Sequence, residues 1–155
     1  MSETLPQAIA TEQILLRGRI QGVGMRPFLY REAQRWGLKG FCRNDGDGVE
    51  VVLTGPPEHI ENFMEKLREQ PPRGSRISGV QRQAVALRHD APFVIRDTMT
   101  ARGNSSQLEI PLDRVPCEKC LEEWRDPNNR RYQYPFMSCV DCGPRYTLLA
   151  RLPFD

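Results

Sequence analysis

The chain has 155 residues, with 22 basic and 20 acidic side chains and a formal net charge of +2. That length fits one ordinary domain or two small ones. Through Asp97 there are 14 basic and 12 acidic residues, and 8 of each follow. Neither half carries the basic excess of a phosphate-backbone binder, so no nucleic-acid partner is expected. An apolar fraction of 39% lies above the disordered range and permits a modest core. The amino terminus reads Met-Ser-Glu-Thr-Leu-Pro, without a basic and apolar leader, and the longest apolar runs are a few residues, as at 84–87. Neither a secretion signal nor a membrane partner is expected. Five cysteines, an odd number, argue against a secreted disulfide framework. These features point to a cytoplasmic protein.

From Glu12 to Arg96, strand-like and helix-like patterns alternate, and ten of the twelve glycines lie there. Ile14, Leu16 and Ile20 alternate with polar residues and predict a first strand. A tight turn at Gln21-Gly22-Val23-Gly24 follows. Phe28, Leu29, Ala33 and Trp36 then recur at helical spacing, with Pro27 in the first turn and Gly37 just past the end. Gly40 to Asn44 predicts a second strand, Asp45-Gly46-Asp47-Gly48 a hairpin turn, and Val49, Val51 and Leu53 a third strand. Ile60, Phe63, Met64 and Leu67 predict a second helix that opens at Pro56-Pro57 and closes before Pro71-Pro72. A fourth strand is expected from Ile77 to Leu87 and a short fifth from Phe93 to Ile95. The order β-α-β-β-α-β is the ferredoxin-like plan, an α+β fold. The polar run D-T-M-T-A-R-G-N-S-S-Q-L-E-I-P from Asp97 to Pro111 reads as a linker. The expected organisation is therefore a domain at 1–97, a linker at 98–111 and a small cysteine module at 112–155.

The chemistry begins at Gly18 with G-R-I-Q-G-V-G-M-R. Gly22 and Gly24 allow a sharp turn, and successive amides in such a turn can face an anion at the positive end of a helix. Arg26 falls in the first helical turn, where its forked donors can hold phosphate oxygens although its charge opposes the helix dipole. Asn44 ends the second strand, expected to lie beside the first, and its amide can both donate and accept hydrogen bonds. An arginine, a ring of amides and one neutral amide suit phosphoryl transfer to water, which needs positioning and charge stabilisation.

Together, G-R-I-Q-G-V-G-M-R and G-F-C-R-N-D-G-D-G resemble the acylphosphatase signature. The resemblance covers roughly Glu12 to Arg96. It implies that Arg26 and Asn44 are the catalytic pair, with a phosphate cradle at Gln21, Gly22, Val23, Gly24, Met25 and Arg26. Arg26 and the amides would hold the phosphoryl group while Asn44 orients the attacking water. Met25 departs from the family pattern, which usually carries Phe there.

Downstream, Cys117-x-x-Cys120 and Cys139-x-x-Cys142 are separated by 18 residues, inside the window for a structural zinc site. Four thiolates at tetrahedral geometry leave no open position for substrate. Trp124, Tyr132, Tyr134, Phe136 and Tyr146 are expected to pack a small core around the ion, and Gly143 suits the tight turn after the second pair. No thioredoxin-like βαβ setting surrounds either pair, which disfavours a redox role. Cys42, in mid-strand, reads as a buried small hydrophobe.

An acylphosphatase-like domain followed by C-E-K-C and Y-P-F-M-S-C-V-D-C-G-P-R-Y-T resembles the start of the HypF family of hydrogenase maturation carbamoyltransferases. Members of that family are several times longer, so the chain looks like an N-terminal fragment carrying the first of two zinc ribbons. A cysteine pair in one ribbon sharing zinc with a pair in the other stays open at this point. The resemblance implies hydrolysis of carbamoyl phosphate to carbamate and phosphate. ATP would then convert carbamate to carbamoyl adenylate in later domains. Transfer to the C-terminal cysteine of a HypE-like partner protein would follow, en route to the cyanide ligands of nickel–iron hydrogenase. The chain has no G-x-x-x-x-G-K-S/T loop of its own. A stand-alone acylphosphatase with an appended zinc module is the nearest alternative. An RNA-binding sheet is disfavoured, because the first and third strands carry no stacking aromatic.

Overall fold

The alternation of apolar residues builds β1 (Ala10–Arg19) with Ile14 and Leu16 fully buried on one face. In the computed structural model, which describes residues 8–46, 48–97, 115–139 and 142, β1 feeds α1 (Met25–Arg35) through a tight loop. The hairpin of β2 (Lys39–Asp45) and β3 (Gly48–Gly55) follows, then α2 (Pro57–Glu69), β4 (Arg76–Ala84) and β5 (Val94–Ile95). The sheet runs β4-β1-β3-β2-β5. Its pairs are antiparallel except β5, which adds parallel to β2 at the edge. This is the expected α+β, ferredoxin-like architecture.

The two helices cover one face of the sheet. Met25, Leu29 and Ala33 of α1 and Ile60, Phe63, Met64 and Leu67 of α2 meet Val49, Val51 and Leu53 in a continuous apolar core. Every residue of β3 is buried because it lies between β1 and β2. On the opposite face, Thr11 and Thr54 share a hydrogen bond of 2.9 Å, and the His89 amide donates to Thr54 Oγ1 at 3.2 Å, so the chain after β4 covers that side.

Two expectations need correction here. The fourth strand ends at Ala84 and not at Leu87, because Ala84 already pairs with Glu12 near the start of β1 and little partner strand remains. Asn44 does not end a strand beside β1, because β3 lies between β1 and β2. A right-handed βαβ crossover skips one strand position, and the returning arm of the hairpin fills the gap. The linker at 98–111 lies outside the described residues.

The register of β1 against β4 slips between Arg17 and Gly18, where β1 approaches its site loop. Gly18 has φ +118, and a Cβ there would lie 2.1 Å from the Arg76 carbonyl oxygen. Gly18→Ala is therefore expected to lose on the order of 3 kcal/mol of stability through backbone strain and overpacking. Urea unfolding followed by circular dichroism checks this; an unchanged midpoint would contradict the account.

Candidate active site and metal centre

Gly22 and Gly24 both adopt left-handed backbone, with φ of 71 and 75, and bend the chain out of β1 into α1. Gly24 is the N-cap of α1 and offers no side-chain cap. The donors at this helix end are thus backbone amides, the arrangement that suits an anion. Burial alternates through the loop. Gln21, Val23 and Met25 are 3%, 3% and 2% exposed, whereas Gly22, Gly24 and Arg26 are partly exposed. Val23 and Met25 anchor the loop in the core, so the departure to Met at position 25 affects packing beneath the loop, where a flexible thioether fills space well.

The side chain of Gln21 has a role that hydrophobic periodicity does not signal. Its Nε2 donates to the Asp45 carbonyl at 3.1 Å and to the Gly48 carbonyl at 3.0 Å. These bonds clamp the loop to the β2–β3 hairpin. A buried amide just before two glycines is the only trace of it in the sequence. At the other end of the loop, the Cys42 thiol lies 3.9 Å from the Arg26 carbonyl oxygen. The loop is therefore held to β2 at Cys42 and at Asp45, and Asn44 lies between them. Asn44 is 1% exposed on the helix-covered side of the sheet, the face it shares with Cys42. The loop is tied to β2 at residues flanking Asn44, although the strands that carry loop and asparagine are not neighbours.

Cys42 is itself excluded as a nucleophile. Burial pushes its thiol up to about 12, outweighing the opposing pull of the Arg26 charge. A buried thiol without thiolate character is inert. On the far face of the sheet, Arg43 pairs with Glu50 at 2.5 Å and Gln13 donates to the same carboxylate at 2.6 Å. This network is turned away from the loop.

The second centre lies on α3 (Glu118–Arg125) and the segment that returns to it. Cys117, Cys120, Cys139 and Cys142 place their sulfurs within 4.8 Å of one another. Cys117 and Cys139 are 3.5 Å apart, Cys120 and Cys142 3.8 Å, and Cys139 and Cys142 3.7 Å. Four thiolates bound tetrahedrally at ~2.3 Å have sulfur–sulfur edges of about 3.8 Å, so the cluster has the size of a closed tetrahedral metal site. The separations are far too long for disulfides, and all five cysteines are free. Burial pushes the Cys120 thiol up, helped by its sulfur neighbours. Burial acts the same way on Cys142, but hydrogen bonds from Cys117, Cys139 and Cys120 hold it down to about 7. Four sulfurs this close cannot all ionise without a cation among them.

The centre is buttressed by Arg131, whose Nη1 donates to Glu123 at 3.1 Å and to the Ser138 carbonyl at 3.2 Å. That clamp fixes the residue before Cys139 against α3. The aromatics do not form the expected core. Trp124, Tyr132, Tyr134 and Phe136 are all exposed, and Cys120, Met137 and Cys142 are the buried residues instead. Among the described residues of the finger the buried side chains all carry sulfur. Tyr146 and Gly143 lie outside the described residues. No described helix is long and apolar enough to cross a membrane.

Comparison with known proteins matches two families along the chain. Residues 12–95 match the acylphosphatase family, and residues 117–149 match the HypF finger. The chain is 39% identical over 144 residues to the probable carbamoyltransferase HypF of Methanocaldococcus jannaschii, covering 92% of this chain and 19% of that protein. It is 41% identical over 80 residues to an acylphosphatase of Pseudomonas paraeruginosa, covering 51% of this chain and 87% of that one. A crystal structure of full-length HypF in a phosphate- and nucleotide-bound form superposes with a TM-score of 0.88 at 33% identity, over 99% of this chain and 20% of that one. The chain thus spans about one fifth of the length of these HypF relatives. It belongs to the acylphosphatase family over residues 12–95, and with the HypF finger that follows it groups with the HypF carbamoyltransferases over nearly all its residues.

Proposed function

We propose that the loop at 21–26 binds carbamoyl phosphate and, with Asn44, hydrolyses it to carbamate and phosphate. The observation that carries this reading is the left-handed loop at the head of α1, pinned to β2 on both sides of Asn44. Arg26 and the loop amides hold the phosphoryl oxygens and stabilise the charge that gathers on them. Asn44 accepts a hydrogen bond from the attacking water and aims its oxygen at phosphorus. The new P–O bond forms as the bond to the carbamoyl oxygen breaks; the water's proton passes to an oxygen of the product phosphate, and carbamate leaves as a carboxylate that needs none. Positioning and charge therefore suffice, which fits a site whose nearest thiol is inert.

Residues 1–97 form the catalytic unit, 98–111 the linker and 112–155 the finger. Zinc is the ion that the four thiolates hold, in a closed site that organises the finger without chemistry of its own. In the longer relatives, further domains would use ATP to activate the carbamate and pass the carbamoyl group to a HypE-like partner. The carbamate made here is the substrate of that step.

Arg26→Ala is expected to abolish phosphate binding, read from the amide shifts of residues 21–26. Asn44→Ala should keep phosphate binding and lose ~10²–10³ in the hydrolysis rate of carbamoyl phosphate. Wild-type rates in both variants would sink the mechanism.

Elemental analysis should find one zinc per chain, falling in both Cys117→Ser and Cys139→Ser. Metal binding should stabilise the finger by on the order of 10 kcal/mol, so chelation should unfold it while the sheet domain keeps its circular dichroism. Substoichiometric zinc in the purified chain would show that the four cysteines do not close on one ion.

A further inference from the structure

The four sulfurs of the finger differ in what can reach them. Cys120 and Cys142 are 1% and 7% exposed, whereas Cys117 and Cys139 are only partly buried. The two accessible sulfurs lie 3.5 Å apart and form one edge of the cluster. Each borders open space. Cys139 lines a cleft of about 640 Å³ between α3 and the turn at 128–131. Cys117 lines a second cleft, of about 390 Å³, that adjoins Val23 and Gly24 of the phosphate loop. A small solute therefore has a path to this edge, while Cys120 and Cys142 face the interior. Oxidation of a cysteine requires thiolate character and exposure together. A bound cation holds all four sulfurs as thiolates, so exposure alone ranks them. Cys42 fails on both counts, being fully buried and held in its thiol form.

We infer that the Cys117–Cys139 edge is an oxidation site, which a peroxide closes to a disulfide with release of the metal. This rests on the reading of the four cysteines as one zinc site. One sulfur of the pair attacks a peroxide oxygen; the O–O bond breaks, hydroxide leaves, and the sulfur becomes a sulfenic acid. The other sulfur attacks it; the S–S bond forms as the S–O bond breaks, and a second hydroxide leaves. Two thiolates, one peroxide and two protons from solvent thus become one disulfide and two waters. The sulfurs lose the two electrons that the peroxide gains. They close from 3.5 Å to about 2.05 Å. Once joined, they no longer serve as thiolate ligands, and a metal left with two protein ligands is released. A dithiol reductant restores both thiolates by exchange, so the step is reversible.

The test uses the whole 155-residue chain, loaded with zinc and treated with rising doses of hydrogen peroxide. A chromogenic chelator reads the zinc set free, and mass spectrometry maps the linkages after alkylation of the remaining thiols. Cleavage after Lys119 and before Asp141 puts the four cysteines on separate peptides. The expected result is one zinc released per disulfide, Cys117–Cys139 as the first linkage, and Cys42 still reduced. Dithiothreitol with added zinc should restore the bound metal. A first linkage inside either Cys-x-x-Cys pair, or one that includes Cys120 or Cys142, overturns the inference. So does zinc retained after Cys117 and Cys139 have joined. A loaded chain that keeps its thiols at a dose that oxidises free glutathione also overturns it and leaves the zinc site standing. A purified chain that takes up no zinc ends both readings.

Discussion

Two hydrogen bonds from one buried amide join the halves of the site. Gln21 donates to the carbonyls of Asp45 and Gly48, and so fixes the loop after β1 to the hairpin between β2 and β3. Each such bond is worth only about 1 kcal/mol net, but leaving a buried donor or acceptor unmade costs ~1–3 kcal/mol. The bonds therefore specify one arrangement more than they add stability. Because the βαβ crossover places β3 between β1 and β2, no ladder joins the strands that carry the loop and Asn44. The Gln21 clamp and the Cys42–Arg26 contact supply the missing connection. The alternation of burial from Gln21 to Arg26 completes the device, with side chains at 21, 23 and 25 anchored inward and the glycines and Arg26 outward.

The finger solves a different problem with the same economy of parts. Among the described residues of the finger the buried ones are Cys120, Met137 and Cys142, all of them sulfur-bearing. The thiolate cluster joins α3 to the return segment, and Arg131 ties the same two together beside Cys139. The rings of Trp124, Tyr132, Tyr134 and Phe136 lie on the surface.

Two helices carry a cation in their first turn. Arg26 and Lys119 each stand in the first turn of a helix, against its dipole. Natural sequences break a local rule of this kind where function requires it. Both breaches lie close to the loop at 21–26, one on α1 and the other in the wall of the adjoining cleft.

Local features were legible in the sequence. Periodicity placed α1 and α2 and their buried faces but not α3, the proline pairs set the bounds of α2, and the glycine loop and the Cys-x-x-Cys spacings named the two centres. Each of these is encoded within a few residues of chain, where backbone sterics and side-chain period act directly. Tertiary structure decided the rest. It placed β3 between β1 and β2, gave the Gln21 side chain its two carbonyl partners, turned the aromatics of the finger outward, and brought Arg31, Arg73 and Lys119 to one cleft. A hydrophobic period fixes which face of an element is buried, but it carries no information about which other segment that face will meet.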